Sequence, residues 1–160
     1  MDTVRSREMI DAVPTYLSGG DTAGRFADYY PVWLDNLAHD VTLEGSLLDG
    51  AVQGAEAVRT LLGTVRKLYD RQTFNFVGPW GESGFIEDYT AQVAGEPIGS
   101  LVLITKNASG QTQHIAVGYR PRSSLLLMSR LAGEKLADTP YAPYFLTGPS
   151  EVPIDRGRQA

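Results

Sequence analysis

The stretch His39–Leu62, HDVTLEGSLLDGAVQGAEAVRTLL, decides the fold. It reads as a strand at Val41–Gly45, a Gly-rich bend, and a helix opening near Gly54. Val41, Leu43 and Gly45 alternate with Thr42 and Glu44, the period of two that a half-buried strand needs. Further on, the apolar residues recur as Val58, Leu61, Leu62, Val65, Leu68 and Tyr69. That is one face of a helix, with Glu56, Arg59, Arg66, Lys67 and Asp70 falling largely elsewhere.

Working outward, the N-terminal side predicts helices. Met9, Ile10, Val13, Tyr16 and Leu17 sit at helical spacing, and Gly19-Gly20 stop the helix. Pro14 either kinks it or opens a second turn. Ala23–Tyr30 reads as another helical piece. Pro31 then starts a short one, with Trp33, Leu34 and Leu37 inward, ending before a His39-Asp40 turn.

The C-terminal side predicts a sheet. Strands are expected at Gln72–Val77, Phe85–Ala94, Ile98–Lys106 and Gln111–Tyr119. Gly78-Pro79-Trp80-Gly81, Ala94-Gly95-Glu96-Pro97 and Asn107-Ala108-Ser109-Gly110 separate them as turns, so the strands form an antiparallel meander. A helix follows at Ser123–Leu136, with Ser123 or Ser124 as its cap. These elements make one α+β domain over residues 1–138: a curved antiparallel sheet packed on helices, a cone that encloses a pocket. Residues 139–160 hold Pro140, Pro143, Pro149 and Pro153 and read as an extended strap anchored by Tyr141, Tyr144 and Phe145.

Composition narrows the chemistry. At 160 residues the chain can bury roughly 68–70% of its unfolded surface without a staple. There is no Cys, so disulfides, thiolate catalysis and Cys-ligated metals are excluded. The net charge is −5, scattered, with no basic stripe for nucleic acid. No apolar run reaches the ~20 residues of a membrane span, and the N-terminus lacks the apolar core of a signal peptide. The expected location is the cytoplasm. Asn107-Ala108-Ser109 matches a glycosylation sequon but is better read as a turn.

One strand predicts a partner. Leu101 and Leu103 point one way on the third long strand, Val102 and Ile104 the other. Both faces are apolar and both need cover. The helices cover one. A second copy of the chain covers the other, giving a homodimer through the sheet, unless the C-terminal helix or tail lies there.

The chain resembles the NTF2-like superfamily, in particular its SnoaL-like branch. The resemblance is carried by Leu37–Gly45 (LAHDVTLEG) and Val52–Val58 (VQGAEAV), with the Asn107–Gly110 turn and Tyr119–Ser129 (YRPRSSLLLMS) extending it over roughly residues 5–137. It implies a cone-shaped fold and a broad range of functions, from ketosteroid isomerases, cyclases, dehydratases and epoxide hydrolases to plain binding domains. In the steroid isomerases the general-base Asp follows the Glu of the first strand, where this chain has Gly45. The oxyanion-binding Asp lies five residues before the Asn of the last turn, where this chain has Val102. The catalytic Tyr of the first helix has a counterpart in Tyr16. Steroid isomerisation by that mechanism is therefore not expected. The same correspondence points Leu43, Glu87, Tyr89, Val102, Ile104, Val117 and Tyr119 into the cone, and Glu44, Asp88, Leu101, Leu103 and His114 outward.

The candidate catalytic residues are thus Glu87 and Tyr16. A carboxylate facing an apolar cavity has a raised pKa and can act as general base or acid. A register slip of one residue would instead send Glu87 to the surface and Asp88 inside, and a place at the open rim would leave Glu87 merely solvated. Tyr16, Tyr89 and Tyr119 could donate to a ligand oxygen or serve as wall. Trp33, Leu43, Val102, Ile104 and Val117 are expected as wall. His39-Asp40 is structural, and His39 and His114 are too far apart in sequence to imply a metal. No triad, nucleophile elbow or phosphate loop is present, and no cofactor or metal is expected. The expected ligand is a small hydrophobic molecule. The chain is either a cofactor-independent isomerase, cyclase or dehydratase, or a non-catalytic binding or dimerisation module.

Overall fold

Two periodicities in the sequence become two layers in space. A computed structural model of the chain describes residues 29–145. A 3-10 turn at Val32–Asp35 leads into β1 (Leu37–Gly45), β2 (Val52–Gln53), α1 (Ala55–Lys67), β3 (Tyr69–Trp80), β4 (Gly84–Val93), β5 (Glu96–Lys106), β6 (Thr112–Arg120) and α2 (Arg122–Lys135). A second 3-10 turn at Ala142–Tyr144 follows. The predicted N-terminal helix, Tyr16 and the end of the strap lie outside the described residues.

The six strands form one sheet in the order β2-β1-β6-β5-β4-β3. β3 to β6 are the expected antiparallel meander. The seam between β1 and β6 is parallel, with Leu43 opposite Ile115 and Gly45 opposite Val117. The sheet is therefore mixed, not wholly antiparallel. Parallel neighbours need a long crossover, and here α1 and four strands supply it. A bulge between Phe74 and Phe76 bends the edge strand β3 and helps curve the sheet.

Alternation sorts the side chains. Tyr89, Ala91, Val93, Val102, Ile104, Ile115 and Val117 are buried on the inner face. α1 roofs that face with Val58, Leu61, Leu62 and Val65, its expected stripe. α2 buries Ser124, Met128, Ser129 and Ala132. Phe145 is buried, and Tyr144 accepts a hydrogen bond from the Asp49 N–H at 2.9 Å, so the described start of the tail is anchored to the domain. It forms a 3-10 turn rather than an extended strap.

Several local expectations change. β3 runs through Gly78-Pro79-Trp80, and the reversal comes at Gly81–Ser83 instead. An edge strand tolerates a proline, and Gly81 has the positive φ (64°) the turn needs. Tyr69 opens β3 and does not extend the helical face. His39 and Asp40 lie within β1, exposed, and Asp40 accepts from the Gln113 side chain at 3.0 Å. No serine caps α2: Pro121 occupies the cap position, and Ser124 donates to the Pro97 carbonyl at 2.7 Å. No helix among the described residues is long and apolar enough to cross a membrane.

Candidate functional site

Cross-strand register places the polar groups of the inner face. Glu87 pairs with Val102 on β5, and Val102 with Val117 on β6. Val117 faces Gly45 on β1. One layer along, Phe74, Tyr89, Ser100 and Tyr119 form the next row. Both rows point into the cone. Glu87, not Asp88, is thus the inward carboxyl, and Asp88 pairs with Arg120 at 3.1 Å on the outer face.

Glu87 is 0% exposed. Its Oε2 accepts a hydrogen bond from Trp33 Nε1 at 2.8 Å and another from the Tyr29 hydroxyl. Its Oε1 has no hydrogen-bond partner among the described residues. Burial penalises the charged carboxylate and pushes the group up to about 7, against the pull of the Trp33 and Tyr29 hydrogen bonds. Trp33 therefore does more than line the wall: it holds the carboxyl.

A second polar cluster lies beside it. The Tyr69 and Tyr89 hydroxyls are 2.7 Å apart, and Tyr69 donates to Tyr119 at 3.3 Å. The Tyr119 ring is half-buried, but its hydroxyl reaches into this cluster, and burial raises its pKa. Phe74 packs edge-on against both Tyr29 and Tyr89, tying the two clusters together. Tyr30 is buried and donates to Asp35 at 3.2 Å; burial first, then the Asp35 charge, pushes it up to about 12.

Leu43, Val102, Ile104 and Val117 are all buried in the common core with Trp33 and Tyr89. Between α1 and the inner face lies a cavity of about 20 Å³, lined in part by Leu43, Leu61, Val65, Val117, Tyr119 and Phe145. That is room on the scale of a single water. The larger concavity, about 510 Å³, is on the opposite face of the sheet, against Glu44, Leu101, Leu103, Ala116 and Gly118.

Tyr29 and Tyr69 were missed by sequence reasoning. Tyr29 lies in a stretch read as helix, and its contact with Glu87 spans 58 residues. Tyr69 was assigned to the helix face. Gln72 was placed on a strand, and its alternation with Phe74 carried the signal that it faces inward. On the outer face, Thr42 Oγ1 lies 2.6 Å from His114 Nδ1, and Glu44 lies 3.3 Å from His114 Nε2. No group of three His, Cys, Asp or Glu residues able to hold a metal occurs among the described residues.

Comparison with known proteins agrees with this architecture. No family model and no curated protein matches the chain. Solved structures do. A steroid delta-isomerase from Pseudomonas aeruginosa is similar at 16% identity and TM-score 0.65, over 85% of this chain and 92% of that one. A bacterial protein of cystatin-like fold from Silicibacter pomeroyi DSS-3 is similar at 19% identity and TM-score 0.62, over 66% and 74%. A de novo designed protein with a curved β-sheet is similar at 16% identity and TM-score 0.51, over 80% and 97%. The fold is the NTF2-like, cystatin-like α+β cone.

Gly45 explains why the steroid-isomerase base has no counterpart. A Cβ at Gly45 would lie 2.2 Å from the Val117 carbonyl oxygen. The parallel seam brings the two backbones too close for any side chain there.

Proposed function

We propose that the protein binds a small hydrophobic molecule at the inner face of its cone, which must open beyond the cavity of about 20 Å³ to admit it, and moves a proton on it without a cofactor. Glu87 is the acid–base group. The observation that carries this reading is the geometry of its carboxyl: fully buried, one oxygen fixed by two donors and the other unpartnered among the described residues, a setting whose burial pushes its pKa up to about 7. A group half-ionised near neutral pH can take a proton and give it back. With Oε2 occupied by Trp33 and Tyr29, the exchange takes place at Oε1. Isomerisation, cyclisation, hydration and dehydration all use such a step. Trp33, Leu43, Val102, Ile104 and Val117 form the apolar wall. Tyr89 and Tyr119 offer hydroxyls to an oxyanion, and Tyr16 is kept as a further donor from the sequence reading. The similarity in fold to a steroid delta-isomerase supports an isomerase-type role by analogy alone.

The test is titration of Glu87, by ¹³C NMR on glutamate-labelled protein with Glu87→Gln as the assignment control. A carboxyl midpoint near 7 is expected. A midpoint in the ordinary carboxylate range overturns the proposal.

A second reading, assembly through the sheet as a homodimer, is favoured by the outer face. The exposed large hydrophobic residues among the described ones are Phe76, Trp80 and Leu101. Register puts all three on that face: Phe76 opposite Asp88, Asp88 opposite Leu101, and Trp80 four pairs along. Large apolar side chains exposed on one face of a sheet suit an interface. Dimerisation is compatible with the proposed chemistry. A protein that dimerises while Glu87 titrates as an ordinary carboxyl would be a binding or assembly module.

A further inference from the structure

Gln72 is the least explained residue of the inner face. It is 0% exposed, and neither its amide oxygen nor its amide nitrogen has a hydrogen-bond partner among the described residues. It lies on β3 in a cross-strand row with Ala91 and Ile98, both buried in the core. This is the face that carries Tyr89 and Glu87, at the end of the cone beside α2, whose Ser124 is tied to Pro97 next to Ile98. A buried amide with both ends unpaired is costly, and a leucine or methionine would fill the position at no such cost. Residues that break the rule of satisfied polar groups concentrate where a ligand completes the pairing.

The spacing gives the ligand its shape. Gln72 lies opposite Ala91, four residues along β4 from Glu87. At about 3.3 Å per residue that is roughly 13 Å along the strand. Phe74, Tyr89 and Tyr119 come from the row between, and Tyr69, from beyond Gln72, reaches the Tyr89 hydroxyl at 2.7 Å. The inner face therefore has a carboxyl oxygen at one end and an unpaired carboxamide at the other, with the tyrosine hydroxyls and Phe74 between them.

We propose that Gln72 is a second recognition pole of the cone. It pairs edge to edge with a carboxamide, or another planar group offering one donor and one acceptor, at the far end of an elongated apolar ligand whose reacting end meets Glu87. This rests on the reading of Glu87 as the acid–base group. It assigns a substrate class: a flat or narrow apolar molecule with a polar group at each end, long enough to reach both poles across the roughly 13 Å of strand between them. A primary amide satisfies both atoms of Gln72 at once, whereas a nitrile or ether satisfies only its nitrogen.

The experiment uses the whole chain and three fluorescent probes: 4′-hydroxybiphenyl-4-carboxamide, the matching 4-carbonitrile, and 4-hydroxybiphenyl. Each is titrated into wild type, Gln72→Met and Glu87→Gln. Methionine keeps the length of the side chain and removes both hydrogen-bonding atoms. Wild type is expected to bind the carboxamide at least about tenfold more tightly than the nitrile. Gln72→Met should erase that preference while its thermal midpoint rises. Glu87→Gln should weaken all three probes alike and keep the preference. No saturable binding of the carboxamide, equal affinity for carboxamide and nitrile on wild type, or a preference that survives Gln72→Met overturns the second pole. Failure of the Glu87 reading looks different: the preference for carboxamide persists, but Glu87→Gln changes neither affinity nor its pH dependence.

Discussion

Trp33 Nε1 donates a 2.8 Å hydrogen bond to Glu87 Oε2, joining residues 54 positions apart in a fully buried contact. The donor comes from a 3-10 turn that precedes the sheet, and the acceptor from the middle of β4. The bond keeps the carboxyl in one orientation while burial keeps it close to half-ionised at neutral pH.

Glu87 makes folding stability depend on pH. Its folded value, about 7, lies above the ordinary 4.5. The folded state therefore holds a proton that the unfolded state has released, and stability falls as pH rises between those values. The contribution is fully present below about 4.5 and lost once pH passes about 7. The shift corresponds to about 3 kcal/mol. Urea denaturation of wild type and Glu87→Gln between pH 4 and 8 should show the two curves separating over that window, with the variant gaining relative to wild type as pH rises.

Trp33→Phe keeps the aromatic wall and removes one donor. The Trp33 hydrogen bond favours the charged carboxylate, so its loss should move the Glu87 midpoint upward. Tyr29→Phe should do the same through the other donor. Each variant should lose about 1–3 kcal/mol at pH 8, where Glu87 is charged, and less at pH 5. NMR titration and denaturation read the two effects separately.

Gly45→Asp, which would place an aspartate at the position used by the steroid isomerases, should fail to fold or lose more than about 3 kcal/mol. Gly45→Ala alone brings a Cβ within 2.2 Å of the Val117 carbonyl, and the β1–β6 seam must part to admit it. A Gly45→Ala protein with unchanged thermal midpoint would show that the seam yields easily.

Leu101→Glu puts a charge on a residue that is 47% exposed on the outer face. It should leave the fold intact by circular dichroism and convert a dimer to a monomer in light scattering at micromolar concentration. Wild type that is itself monomeric there removes the case for assembly through the sheet.

Much of this molecule is written locally. The alternation of Val41, Leu43 and Gly45 and the 3.6-residue recurrence from Val58 to Val65 fix a strand and a helix, because each needs one apolar face. Turn residues at Ala94–Pro97 and Asn107–Gly110 divide the meander, because Gly95 and Gly110 have the positive φ that the reversals require. The inward direction of Glu87 is implied by the resemblance and not by the alternation, which leaves Glu87 and Asp88 as the two choices; burial and register decide for Glu87.

Other features lie beyond local pattern. That β1 runs parallel to β6, that Gly45 has no room for a side chain, and that Tyr29 and Trp33 meet at Glu87 Oε2 all depend on residues far apart in sequence. So does the isolation of the Gln72 amide. The sequence by itself determined most of the elements and their apolar faces, and narrowed the inward carboxyl of β4 to Glu87 or Asp88. Only the tertiary structure decided which groups hold that carboxyl and shift it toward neutrality, because desolvation and hydrogen bonding arise from the packing of distant segments.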